Sequence, residues 1–187
     1  MAQDGQLTLR QAASDELTAS EVARMHELMG DAFAADEHGG FTEDDWQHAL
    51  GGQHFLLETH GTIVSHAAVV ERVLHVSGVP LRTAYVEAVA TDPRRQGQGL
   101  GTQVMRAVSA FIDAGEWQLA ALGTSSHGFY ERLGWRIWRG QSSVRTADGV
   151  MPTPDEDGYI MVLRTPQSPA LDLEVPISCE WRPGDVW

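Results

Sequence analysis

A chain of 187 residues with 42% hydrophobic side chains can bury one proper core and is short of what two full domains usually need, which excludes a disordered or collagen-like protein. Its 26 acidic against 13 basic residues give a net charge of −13, which argues against nucleic acid as a partner and favours a cationic ligand, although solubility alone accounts for such acidity in many proteins. The single cysteine, Cys179, cannot close an intrachain disulfide, residues 1–10 lack a basic-then-apolar export signal, and no run approaches the ~18 apolar residues of a membrane span; the expectation is one cytoplasmic domain, residues 1–187, with no membrane partner.

Residues 7–10 (LTLR) alternate as a short strand. Thr18 and Glu21 then make a capping box, opening a helix with Val22, Met25, Leu28 and Ala32 along one face. A second helix starts at Thr42, with Asp45 as its capping partner and Phe41 placed to staple onto Trp46, and Gly51-Gly52 stops it. Residues 54–59 and 62–76 read as strands joined at His60-Gly61; after a turn at Ser77-Gly78, residues 81–90 are extended again, giving an antiparallel meander. Past Asp92-Pro93 the period changes, and Leu100, Val104, Met105, Val108, Phe111 and Ile112 share one helical face. Residues 117–122 are expected as a strand, 126–133 as a short helix, 135–144 and 159–163 as two more strands, and 165–172 (TPQSPALD) as a connector. The expected class is α/β (α+β): a mixed, mostly antiparallel sheet with helices on both faces.

The turn Arg94-Arg95-Gln96-Gly97-Gln98-Gly99-Leu100-Gly101 joins a strand to a helix. Glycines let the backbone approach a ligand, successive amides cradle an anion, and the helix start adds its positive end, so a diphosphate fits there. The dinucleotide fingerprint fails because these glycines lie mid-chain in an antiparallel region, and the P-loop fails because no Gly-Lys-Ser/Thr closes the motif. A plain turn with solubilising arginines is the blander alternative.

Arg94-x-x-Gly97-x-Gly99 resembles the pyrophosphate loop of the GNAT superfamily, which follows the fourth strand and opens the third helix. In that superfamily one more strand and a short helix with a tyrosine come next. Here that tyrosine is Tyr130, in a segment from His127 to Trp135 similar to the family's Phe-Tyr-x-x-x-Gly-Phe, with Trp for the last Phe. The resemblance implies the GNAT fold, with a splayed pair of strands holding acetyl-CoA. It makes Val89, Ala90, Thr91, Arg94, Arg95, Gln96, Gly97, Gln98, Gly99, Leu100 and Gly101 the cofactor-binding segment.

Phe41-Thr-Glu-Asp-Asp-Trp46, His66-Ala-Ala-Val69, Tyr85-Val-Glu-Ala-Val-Ala90 and the ending Cys179-Glu-Trp-Arg-Pro-Gly-Asp-Val-Trp187 are similar to the aminoglycoside 2′-N-acetyltransferases. This closer resemblance covers nearly the whole chain from about residue 22. It implies an aminoglycoside acceptor gripped by Asp36, Asp45, Glu87, Glu156, Asp185 and the main-chain carboxylate of Trp187, with the tail (about 175–187) completing the site, and a homodimer. Carboxylates suit a polyamine, which they attract and whose ammonium protons they accept. Each residue also has a simpler explanation: Asp45 as a helix cap, Asp155 to Asp157 as a solvated turn, Asp185 and Trp187 as a frayed tail. Glu87 stands in an otherwise apolar strand, where an ionisable group is costly unless it has a partner or a task. The chain departs from the family at His38-Gly39-Gly40, an insertion after Asp36, and at Gly123, which falls where the family has a serine that contacts the sugar.

Acetyl transfer needs an uncharged amine, a dipole for the developing oxyanion and a proton for the departing thiolate. The resemblance implies direct attack in a ternary complex, with Glu87 as base, through water, Tyr130 as acid and a backbone amide near Val89 facing the thioester oxygen. No metal is expected: His48 with His54, and His66 with His75, lack ligand spacing, and His66 reads as a strand residue with a satisfied ring. Cys179 beside Glu180 is a poor candidate for a thiolate nucleophile. The rival readings are a GNAT enzyme for another amine, such as a polyamine, another amino sugar or a protein N-terminus, and a non-catalytic acyl-CoA sensor.

Overall fold

Strand β1 (Leu7–Ala13) opens the computed structural model, which describes residues 6–34 and 40–187; Asp36, expected at the acceptor site, lies outside the described residues. The chain groups into two units, one ending at Val70 and resuming over Glu87–Ser109, the other made of Glu71–Val86 and Ala110–Trp187.

In the first unit β1 pairs antiparallel with β2 (Gln53–Thr59), from Leu7↔Thr59 to Ala13↔Gln53, and β2 pairs antiparallel with β3 (Thr62–Val76). The connecting turn places His60 and Gly61 at φ 50° and 71°, the left-handed pair that a tight hairpin of this hand demands. Helix α1 (Ala19–Ala32) starts as the sequence predicts, Thr18 and Glu21 capping one another. Helix α2 (Glu43–Ala49) starts at the Thr42–Asp45 box, and Phe41 meets the Trp46 ring at 6.4 Å. Met25, Met29, Trp46, Ala49, Leu56 and Ala68 form the core together with Ala88 and Ala90 of β4 (Val79–Thr91). Each large side chain so buried contributes about 1.5–3 kcal/mol, more than propensity supplies to so short a helix as α2. After a 3-10 turn at Pro93–Arg95 comes α3 (Leu100–Ala114), whose Leu100, Val104, Met105, Val108 and Ile112 are buried on the face read from the sequence, while Phe111, expected there too, is half-buried.

In the second unit the remaining strands are β5 (Leu119–Gly123), β6 (Arg136–Ile137), β7 (Ser142–Thr146), β8 (Gly149–Pro152), β9 (Ile160–Leu163) and β10 (Ile177–Glu180), with helix α4 (His127–Glu131) after β5. They lie in the order β6-β9-β5-β4-β3-β10-β7-β8. β4 runs parallel to β5 and β10 parallel to β7, whereas β3 with β10, β5 with β9, β6 with β9 and β7 with β8 are antiparallel. The expected mixed, mostly antiparallel sheet is therefore present. The β4–β5 ladder ends at Tyr85↔Ala121, although β4 runs on to Thr91.

The stretch 135–144, expected as one strand, is instead β6 and β7 separated by an irregular turn. A Cβ on Gly140 would lie 1.8 Å from the Val175 carbonyl oxygen, and the amides of Arg139 and Gly140 both donate to Leu173 O, so the chain leaves the sheet there to meet residues 173–175. β8 and β10 were not expected. β8 exposes Val150 and Met151 side by side and so lacks alternation, and the four residues of β10 become a strand by pairing between β3 and β7. Among the described residues no helix is long and apolar enough to cross a membrane.

Candidate active site

In the first unit, the glycine-rich turn begins with Asp92, whose carboxylate accepts from the Arg94 amide at 2.9 Å and from Arg94 Nε and Nη2 at 3.0 and 3.1 Å. These bonds and the arginine's charge hold the Asp92 carboxyl below its ordinary range. Gly97 and Gly99 have φ of 77° and 78°, in the left-handed region; a Cβ at either would meet open space, so backbone conformation rather than crowding selects glycine. Gln103 N donates to Gly99 O at 3.1 Å, the first bond of α3, which leaves the amides of Leu100, Gly101 and Thr102 in the first turn without an intrahelical acceptor. Left-handed glycines feeding a helix start are the backbone arrangement that receives phosphate oxygens. The strand end before it is fixed by Ser65 Oγ, which donates to Ala90 O at 2.9 Å and lies 2.8 Å from Thr91 Oγ1, while Gln96 Nε2 reaches Thr91 O at 3.5 Å.

Upstream, Ala88 has φ 51° in the middle of β4. A residue with a Cβ is strained there, and a left-handed residue inside a strand re-aims the peptides that flank it, those of Glu87 and Val89. The Glu87 carboxylate, 9% exposed, stands 4.0 Å from His48 Nδ1 on α2. Asp45, at the start of the same helix, accepts from Thr42 N at 3.0 Å and Thr42 Oγ1 at 2.7 Å, so its carboxylate serves as the cap.

In the second unit, Tyr130 sits on α4 with its ring edge-on to Phe129 (4.9 Å) and near Trp135 (6.1 Å), and burial pushes its phenol pKa up. It is therefore a neutral O–H at physiological pH. The tail is docked rather than frayed: Trp187 is 4% exposed, its Nε1 donates to Thr153 Oγ1 at 3.0 Å and its amide donates to Asp185 Oδ1 at 3.0 Å. Arg72 holds the tail from β3, donating to Val186 O at 2.8 Å while its guanidinium stacks 4.5 Å over the Tyr85 ring. A Cβ added to Gly123 would lie 3.5 Å from the Trp187 main-chain carbon and 3.7 Å from the Tyr85 hydroxyl, so the end of β5 faces that main-chain group. Glu156 closes a 3-10 turn (Pro154–Glu156), half-buried, one residue before Asp157. Asp157 Oδ1 accepts from Ser142 N at 2.7 Å and Ser142 Oγ at 2.8 Å, a structural latch where the sequence offered only a solvated acidic turn. Cys179 is buried with its thiol pKa raised by desolvation, and Sγ donates to Val186 O at 3.2 Å, which suits packing and not attack. Among the described residues no three His, Cys, Asp or Glu side chains are grouped to hold a metal ion.

The structure thus brings Glu87 to the helix capped by Asp45, and Trp187 to Asp185 and the loop before Glu156. Sequence reasoning missed the left-handed Ala88, the partners of His66, and the pair Arg72 and Tyr85 under the tail. Only His66 carried a signal, as an imidazole inside the apolar run Ile63 to Val70.

Residues 14–138 match the family model for an acetyltransferase (GNAT) domain. An aminoglycoside 2′-N-acetyltransferase from Mycolicibacterium fortuitum is 44% identical over 153 residues, covering 80% of this chain and 78% of that protein. Among solved structures, a GNAT family acetyltransferase from Brucella melitensis in complex with acetyl-CoA aligns with a TM-score of 0.64 at 15% identity, covering 92% of this chain and 95% of that one. A GCN5-related N-acetyltransferase from Kribbella flavida aligns with a TM-score of 0.57 at 20% identity; the match covers 72% of this chain but spans only 34% of that longer one. At these identities the two structures show a shared fold.

Proposed function

Because the chain belongs to the GNAT acetyltransferases and, within them, to the aminoglycoside 2′-N-acetyltransferases, we propose that it transfers the acetyl group of acetyl-CoA directly to the 2′-amino group of an aminoglycoside. The observation that carries the proposal is the left-handed Gly97–Gly99 turn leading into α3 just after a carboxylate-bearing strand with a left-handed residue at Ala88, in a chain so similar to an enzyme of that activity.

Acetyl-CoA supplies the acyl group as a thioester, and the amides of Gly97 to Gly101, with Arg95, hold its diphosphate. Glu87, almost buried, takes the proton of the incoming ammonium through a water and frees the amine for attack. The Val89 amide, re-aimed by the left-handed Ala88 before it, faces the thioester oxygen as negative charge develops on it. In the second unit Tyr130, kept protonated by burial, gives its proton to the departing thiolate. Asp185, Glu156 and the main-chain carboxyl group of Trp187 attract the ammonium groups of the acceptor. Gly123 leaves open the space a side chain would take beside Trp187, which tunes the acceptor preference.

A thiol-release assay with acetyl-CoA and matched aminoglycosides carrying a 2′-amino or a 2′-hydroxyl group tests this. Turnover is expected with the amino member alone. Equal turnover of both would move the reaction to another amine, and turnover of neither would remove the aminoglycoside reading.

A further inference from the structure

In the first unit four groups form one hydrogen-bonded chain that the chemistry above does not use. Ser14 Oγ lies 2.8 Å from His54 Nε2, His54 Nδ1 lies 2.9 Å from His66 Nε2, and His66 Nδ1 lies 2.8 Å from the carbonyl oxygen of Ala88. Both imidazoles are fully buried, His54 on β2 and His66 on β3.

The direction of every proton in this chain follows from its last member. A carbonyl oxygen only accepts, so His66 donates from Nδ1, and in a neutral ring its Nε2 is then an acceptor. His54 must donate to it from Nδ1, which leaves His54 Nε2 to accept from the Ser14 hydroxyl. Gly52 O, which Ser14 Oγ also reaches at 2.9 Å, already receives the Ser14 amide at 3.1 Å and does not need the hydroxyl. One neutral tautomer set therefore satisfies all four groups. Burial favours it: desolvation pushes the His54 pKa down to about 4, and desolvation with the neighbouring His54 pushes that of His66 down to about 3, against the opposing Ala88 carbonyl.

The chain ends on the strained residue of β4. His60, Ser77 and Ala88 are the non-glycine residues at positive φ among those described, and the first two occupy hairpin turns, where that conformation is usual. A left-handed residue with a Cβ costs about 1–2 kcal/mol and persists only where its surroundings fix it. We infer that His66, set in one tautomer by His54 and Ser14, is a positioning residue for acetyl transfer: its Nδ1–H holds the Ala88 carbonyl, and with it the left-handed backbone flanked by Glu87 and Val89. This inference rests on the roles proposed above for Glu87 and Val89.

Two experiments test it, and the first needs no substrate. Long-range proton–nitrogen correlation spectra of the wild-type protein at neutral pH should show both rings uncharged and each protonated on Nδ1. His66 protonated on Nε2, or either ring cationic, overturns the inference. The second compares His66→Asn, whose amide can donate from the place of Nδ1, with His66→Leu, which cannot. His66→Leu should lose about tenfold or more in kcat, the effect of one lost positioning bond, with the KM for acetyl-CoA within about threefold of wild type. His66→Asn should recover most of the loss. Unchanged kcat in His66→Leu, or an equal loss in both variants, refutes the positioning role. Absence of any aminoglycoside turnover by wild type would instead overturn the proposed function and leave the spectra to decide the role of His66.

Discussion

Replacing Arg72 with methionine, which keeps the apolar stem and removes the guanidinium, should release the tail that ends in Trp187. Burying the indole removes roughly 200 Å² from water and contributes about 5 kcal/mol, while ordering residues 181–187 costs about 1 kcal/mol each, or roughly 7 in all. Burial alone therefore leaves the tail undocked. The bond from Arg72 to Val186 O at 2.8 Å, with the stacking on Tyr85, contributes about 2 kcal/mol, and Trp187 Nε1 on Thr153 about 1. Docking is then favourable by about 1 kcal/mol in the wild type and unfavourable by about 1 in Arg72→Met, which lowers the docked fraction about fivefold. If the acceptor binds the docked tail, its KM rises by the same factor while the KM for acetyl-CoA stays put. Initial rates with each substrate varied in turn, together with limited chymotrypsin proteolysis after Trp181, measure both consequences. An unchanged acceptor KM with a freely cleaved tail would refute the reasoning, because the tail would then be irrelevant to the acceptor.

Tyr130→Phe should lower kcat by about 10–100-fold with aminoglycoside binding by calorimetry nearly intact, and unchanged turnover would strip Tyr130 of the acid role. The buried histidines predict a specific acid sensitivity. With folded pKa values of about 4 and about 3 against an ordinary 6.5, the unfolded chain binds more protons than the folded one, so their contribution to stability is present above pH 6.5 and is lost as pH falls toward 3. The pair adds at most about 2.7 kcal/mol per pH unit to the slope, and His66→Asn should remove about half of it in denaturant titrations between pH 4 and 7. Equal slopes for wild type and variant would mean that these rings do not titrate on unfolding.

Signals carried by neighbouring residues were readable in advance. Thr18 with Glu21, and Thr42 with Asp45, cap helices through contacts three residues apart, and His60-Gly61 and Ser77-Gly78 need only their own turns. The Gly97–Gly99 turn was legible for the same reason, since glycine at a left-handed position is a local requirement. What escaped depended on distant chain. Gly140 breaks the strand read over 135–144 because residues 173–175 return against it, and β10 exists only through its neighbours. His54 and His66 meet only once the register of β2 on β3 is set, and nothing in alanine marks Ala88 as left-handed. Arg72 acquires its role only from residue 186, which lies far along the chain and comes against it in the fold.

The most direct check on acetylation of the 2′-amine is the structure of the product. Two-dimensional NMR of a 2′-amino aminoglycoside after complete turnover with acetyl-CoA should place a single new acetamide on the nitrogen at carbon 2′. An acetyl group on any other nitrogen, or an unmodified aminoglycoside after prolonged incubation, would contradict the account.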